Sequence, residues 1–137
     1  MLLITNDPES FFEQWNKPAS PDYKPNISTV EKANRGDTVM AITLFAGCEA
    51  DDRGNCDSEI DFKVLKPDGS MYSEHNNAEL WIEKTSPPKG TLQVSKSNLG
   101  FKVEAEDPLG KYLVEIVIRD NNSKKQLELI QSIIVEE

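Results

Sequence analysis

The chain has 137 residues, 37% of them hydrophobic and 28% charged, and its 15 basic and 24 acidic side chains give a net charge of −9. This length suits one ordinary domain. An excess of acidic groups repels polyanions, so we do not expect nucleic acid as a partner. No run of about 18 apolar residues occurs, so we expect no membrane-spanning helix.

The first part of the chain predicts a short helix over 6–16 and an extended lead-in after it. Asp7 is a suitable N-cap, and Pro8 after it suits the first helical turn. Three aromatic residues follow at helical spacing: Phe11, Phe12 and Trp15. Three prolines between 17 and 26 end the helix and favour extended chain. We therefore assign 1–26 to an N-terminal helix with a proline-rich lead-in, and 27–137 to the main domain.

The rest of the chain has the pattern of β-strands, with β-branched and aromatic runs separated by Gly, Pro, Asn and Asp. In 58–65, for example, Ile60, Phe62 and Val64 alternate with charged residues. The crossovers of a parallel sheet need segments of about 10 to 15 residues with helical periodicity, and no interval between the predicted strands offers one. The sequence predicts an all-β, antiparallel sandwich with strands at 27–32, 38–46, 58–65, 70–74, 79–84, 91–95, 101–105, 111–119 and 126–135.

Two cysteines flank an acidic loop between two predicted strands. Cys48 and Cys56 lie where hairpin neighbours can meet disulfide geometry. An even cysteine count, no Cys-x-x-Cys motif and a single histidine favour a disulfide over free thiols or a metal or redox site. Because disulfides persist in oxidising compartments, we expect a periplasmic or extracellular protein. Residues 1–4 are too short for the apolar core of a signal peptide and are compatible with the mature end of an exported protein.

Candidate chemistry is sparse. Asp51, Asp52, Asn55 and Asp57 gather oxygen ligands that would suit calcium, but their spacing is not that of an EF-hand, which favours a solvated acidic turn. His75 is the only histidine and lies in a polar run, so no nucleophile–histidine site is visible. No phosphate-binding glycine loop or dinucleotide fingerprint occurs. We predict no catalytic residue, no cofactor and no resident metal.

Aromatic residues are the remaining candidates for a binding surface. Trp15, Tyr72 and Trp81 are able to stack on the apolar face of a sugar ring. Trp81 alternates with Leu80 and Ile82, which places it on the opposite face of its strand from both. The favoured interpretation is a tryptophan that covers an edge of the sandwich or packs under the N-terminal helix.

The approach to strand 111–119 carries a resemblance to a known fold family. At 107–112 the chain reads Asp-Pro-Leu-Gly-Lys-Tyr, and Tyr112 stands where immunoglobulin-like domains have a tyrosine whose hydroxyl bonds the backbone a few residues upstream. The chain thus resembles an immunoglobulin-like β-sandwich, which implies this role for Tyr112. No cysteine stands two residues after Tyr112, so the inter-sheet bridge of antibody domains is not expected.

Two further segments extend the resemblance. Together with 107–112, the sequences Leu-Phe-Ala-Gly-Cys at 44–48 and Lys-Pro-Asp-Gly at 66–69 resemble a small group of exported, uncharacterised proteobacterial proteins. The resemblance covers most of the chain from residue 38 onward. It implies a bacterial, periplasmic sandwich and brings no catalytic residues with it.

These observations predict a non-enzymatic binding or adaptor module that presents loops or an open sheet edge to a protein partner. The alternative is a carbohydrate-binding module that uses exposed aromatic rings. A hydrolase built on His75 is a third hypothesis.

Overall fold

A computed structural model describes residues 1–16, 29–85 and 92–137, apart from the side chains of residues 83 and 84. The proline-rich lead-in and parts of the predicted strands 27–32 and 91–95 lie outside these residues. The described elements are β1 (Leu2–Thr5), α1 (Pro8–Trp15), β2 (Lys32–Asn34), β3 (Thr38–Ala46), β4 (Asn55–Leu65), β5 (Met71–Thr85), β6 (Leu92–Val94), β7 (Leu99–Lys102), β8 (Gly110–Asp120) and β9 (Lys125–Glu136).

The strands form two sheets. The larger has the order β2-β9-β8-β4-β5, and in the smaller β3 pairs with β1 along one edge and with β6 and β7 along the other. All these pairs are antiparallel except β2 with β9. The predicted all-β sandwich of immunoglobulin-like type is therefore confirmed, with one parallel pair that the sequence did not indicate.

The core lies between the sheets and follows the alternation of the strands. Along β4 every second side chain is buried, including Ile60, Phe62 and Val64, as the sequence predicted. These residues belong to one core cluster with inward-facing side chains of the smaller sheet, such as Ala41 and Phe101. Burial of one face of each sheet is the main stabilising term of such a fold.

The predicted helix forms and covers the outer face of the smaller sheet. The Asp7 side chain caps it by accepting a hydrogen bond from the Ser10 amide at 3.1 Å. Phe11 is fully buried against Ile42 and Leu44. Because the helix covers one face of β3 and the core covers the other, five consecutive residues, 41–45, are buried. No helix among the described residues is long and apolar enough to cross a membrane.

Several strands are displaced from their predicted bounds, such as β2 at 32–34 and β7 at 99–102, and two differ more strongly. β1 was not predicted at all. It lies in the stretch 1–26 that we had assigned to the helix and lead-in, and it pairs with β3. β5 is one strand of 15 residues where two were predicted. Its register with β4 shifts at four points, and Asn77 adopts a positive φ of 59°. Such bulges let a strand absorb extra residues and remain paired.

Candidate binding site at the loop end of the sandwich

A cleft opens between the two sheets at one end of the sandwich. This end carries the loop 47–54, between β3 and β4, and the loop 121–124, between β8 and β9. The cleft has a volume of about 550 Å³. That size lies in the range of small-ligand pockets, which are mostly apolar with a few polar groups. Its apolar lining includes Leu44, Phe45, Leu80, Leu92, Ile118 and Leu127.

Large apolar side chains remain exposed at this cleft. Leu127 is 54% exposed and Leu92 is 44% exposed. Leu127 stands opposite Ile118 in the inward-facing row of β9, the row that is buried further along at Ile133 and Val135. The interior of the sandwich therefore opens to solvent at the loop end.

A network of hydrogen bonds joins the two loops beside the cleft. The Asp120 carboxylate accepts from the Glu49 amide at 2.9 Å and from the Asn122 amide at 3.1 Å. The Asn122 side chain donates to the Glu49 carbonyl at 2.8 Å. Asp120, Ser123 and Lys125 also line the cleft, so its polar rim belongs to this network. The network holds the rim in one geometry.

The predicted disulfide is confirmed and clips the base of the first loop. Cys48 and Cys56 are bonded, with their Cα atoms 5.9 Å apart, and Cys56 is buried. Inside the loop, the Asp51 carboxylate accepts from the Arg53 amide at 2.8 Å and the Asn55 amide at 3.0 Å. These backbone hydrogen bonds lower the pKa of Asp51.

The four residues considered for calcium do not converge on one point. The Asp51 carboxylate accepts a hydrogen bond from the Arg53 amide of its own loop, whereas the Asp57 carboxylate accepts one from the Asn121 side chain at 3.2 Å. Asp52 is exposed. Within the described ranges, no group of three His, Cys, Asp or Glu side chains is arranged to hold a metal ion. His75 is likewise exposed, on the edge strand β5.

The structure does not bring the three candidate aromatic rings together. Trp15 stacks on Phe11 in α1, with ring centroids 6.3 Å apart. Trp81 packs edge-on against Phe45 at 5.7 Å, and its Nε1 donates to the Thr85 carbonyl at 3.0 Å. Because Phe45 lines the cleft, Trp81 lies behind the cleft wall.

Tyr72 lies at the other end of the sandwich, in a cluster around Tyr112. The buried Tyr112 hydroxyl donates to the Pro108 carbonyl at 2.6 Å, which is the backbone bond that the resemblance implied. The Tyr72 ring packs edge-on against Tyr112 at 5.6 Å, and its hydroxyl lies 2.7 Å from the Asp107 carboxylate and 2.8 Å from the Lys102 carbonyl. Burial and the Asp107 hydrogen bond raise the pKa of Tyr72 to about 12.

Sequence reasoning missed Leu92 and Leu127 as site residues. In the sequence Leu127 is one member of an alternating strand and cannot be told from a core residue. Its exposure depends on where the opposite sheet ends, and that is a long-range property of the fold.

Comparison with known proteins adds information about the fold only. No protein-family model and no curated protein matches the chain. Among solved structures, it is similar to the sporulation control protein Spo0M from Bacillus subtilis, with 12% identity and a TM-score of 0.51 over 79% of this chain and 46% of that one. It is also similar to a family 123 glycoside hydrolase from Clostridium perfringens, with 10% identity and a TM-score of 0.51 over 100% of this chain and 27% of that one. The chain thus spans less than half of either protein, and at such identities the similarity shows a shared sandwich, not a shared activity.

Proposed function

We propose that the chain is a non-enzymatic binding module that presents the loop end of its sandwich to a protein partner. The observation that carries this proposal is the apolar cleft between the sheets, with Leu92 and Leu127 exposed at its walls. Burial of apolar surface favours association by about 25 cal/mol per Å². A partner that inserts an apolar side chain here covers surface that the free protein leaves in water.

The surroundings of the cleft also suit a partner of defined shape. The hydrogen bonds between the two loops, through Asp120 and Asn122, hold the polar rim before any ligand arrives. A preformed rim reduces the ordering that binding would otherwise require. The net charge of −9 favours a neutral or basic partner surface.

We place this module outside the reducing cytosol, in the periplasm or the extracellular space. The support is the Cys48–Cys56 disulfide, because such bonds persist in oxidising compartments.

Carbohydrate binding is the alternative proposal. The three rings lie apart, so each would have to act alone, and the polar edge of Trp81 is already bonded to Thr85. Loss of binding on a glycan array for a Trp81→Phe variant would favour this alternative, since the indole is the larger stacking surface.

Site-specific photo-crosslinking tests the main proposal. The probe is p-benzoylphenylalanine at position 127, and the matched control is the same residue at position 109, because Leu109 is also exposed, at 39%, just before the opposite end of β8. In an envelope extract of the source organism we expect a discrete crosslinked protein from position 127 only. That protein, once purified, should bind the Leu127→Asp variant at least about tenfold more weakly than wild type and bind Leu109→Asp normally. Equal crosslinking at both positions, or normal binding by Leu127→Asp, would refute the proposal.

A further inference from the structure

We propose that the partner contributes an extended segment that adds as a strand to the edge of β9 along residues 126–131, where the described residues supply no neighbouring strand. This inference rests on the proposed function, because Gln126 and Leu127 also line the cleft. It goes further by naming the form of the ligand: an extended chain with alternating side chains and a neutral or basic character.

The backbone of β9 points a row of donors away from the sheet. The Ile134 amide donates to the Glu31 carbonyl, on the side away from β8. The pairing of β8 with β9 runs without a register shift from Asp120↔Lys125 to Gly110↔Val135. Because alternate residues of a strand direct their amides to the same side, the even-numbered residues before Ile134 also point outward.

Most of this row has no partner in the described parts of the chain. β2 covers only 134–136 of β9. The Ser132 amide donates a hydrogen bond to the side-chain oxygen of its neighbour Gln131, at 3.3 Å. For the amides of Gln126, Glu128 and Ile130, residues 1–16, 29–85 and 92–137 supply no backbone acceptor. An edge of this kind is a template for another strand.

The opposite edge of the same sheet is protected. β5 is broken by register shifts against β4, and the Leu80 and Glu79 carbonyls accept hydrogen bonds from the Lys96 and Ser97 amides at 3.1 Å. Bulges and covering segments of this kind are how proteins block edge-to-edge pairing. β9 lacks a register shift along its whole pairing with β8, which makes it the edge suited to strand addition.

The side chains along residues 126–131 of β9 identify the kind of segment that fits. Leu127 offers apolar contact on the cleft side, whereas Ile130, which is 63% exposed, offers it on the outer face. An added strand therefore gains by placing apolar residues opposite each. A second copy of this chain is disfavoured as the occupant, because two molecules of net charge −9 repel each other.

Amide hydrogen exchange followed by NMR tests the inference. The probe is a synthetic ten-residue peptide that alternates valine with threonine and has lysine at both ends, and its control is the same peptide N-methylated at alternate residues. In the free protein we expect fast exchange at Glu128 and Ile130. Saturation with the probe should slow both by at least about tenfold, and the N-methylated peptide should bind at least about tenfold more weakly.

A pair of variants at one position separates backbone from side chain. Ile130→Pro removes the outward donor at an edge position where proline is tolerated, and Ile130→Thr keeps the donor and shortens the apolar side chain. We expect Ile130→Pro to weaken peptide binding by about tenfold and Ile130→Thr to change it by less than about threefold. Normal peptide binding by a folded Ile130→Pro variant would overturn the inference.

Two other results would also overturn it. Slow exchange at Glu128 and Ile130 in the free monomer would mean that the chain covers its own edge. Protection that appears only on self-association would mean that the occupant is a second copy. Failure of the proposed function is a separate result: it shows as normal partner binding by Leu127→Asp, whatever the outcome at Ile130.

Discussion

Opening the Cys48–Cys56 disulfide should destabilise the protein without unfolding it. The bond closes a loop with a sequence separation of eight residues, at the base of the β3–β4 hairpin. In the chain-entropy model, a loop of this length stabilises the folded state by about 2 to 3 kcal/mol, because the bond restricts the unfolded chain. The loop also keeps its hydrogen bonds to Asp51 and Asp120 after reduction, so the rest of the sandwich should remain paired.

This free energy converts to a shift in melting temperature. Unfolding entropy near 60 °C is roughly 2.1 cal/mol/K per residue, which gives about 0.29 kcal/mol/K for this chain. A loss of about 2 to 3 kcal/mol then lowers Tm by roughly 7 to 10 °C. The disulfide is therefore a large part of the stability of a domain whose total is of the order of 10 kcal/mol.

The assay is thermal unfolding with and without a thiol reductant. The control is a Cys48→Ser, Cys56→Ala double variant, in which alanine suits the buried position 56. Reductant should lower the Tm of the wild type toward that of the double variant and leave the double variant unchanged. A wild-type Tm that is insensitive to reductant, with free thiols detected in the treated sample, would refute the stabilising role of the bond.

Two further predictions concern single side chains. Tyr112→Phe removes the hydroxyl bond to Pro108 and should lower the free energy of unfolding by about 1 kcal/mol in urea denaturation, and an unchanged value would show that the bond is energetically neutral. Asp61→Asn should cost about 1 kcal/mol near pH 7, because it weakens the ion pair with Arg119. The hydrogen bond from Arg119 lowers the pKa of Asp61 from 3.8, so its contribution is present above about pH 4 and is lost as the pH falls through the folded pKa. Urea denaturation should therefore give a larger difference between wild type and variant at pH 7 than at pH 3, and an equal difference at both would show that the effect is not electrostatic.

Local signals explain why much of the fold was predictable. The helix begins where Asp7 and Pro8 indicate, because a cap and a first-turn proline act within a few residues of themselves. β4 was predicted because its apolar and polar side chains alternate, which indicates one buried face and one solvent-exposed face. Even the Tyr112 bond is local, since its acceptor at Pro108 lies four residues upstream.

Long-range pairing explains what was not predictable. β1 has four residues, and its partner β3 lies more than 30 residues further along, so its own sequence carries little signal. The polar residues 75–77 led to a predicted break between strands 70–74 and 79–84, but pairing with β4 extends one strand through this stretch by means of bulges. Both cases are tertiary contacts that override local propensity.

The two ends of the sandwich have different hydrogen-bond networks, and this difference supports the position of the site. At the end where β8 begins, the Arg35 guanidinium donates to the Asp107 carbonyl and to the Glu137 carboxylate, beside the Tyr112 cluster. There the polar groups fasten chain segments over a buried tyrosine. At the loop end, Asp120 and Asn122 fasten the loops to each other, and the apolar interior beneath them stays open. The hydrogen bonds of Asp120 and Asn122 do not fill the cleft, so they add little to the core. They do fix the rim of the cleft, which is the surface that a binding partner would contact first.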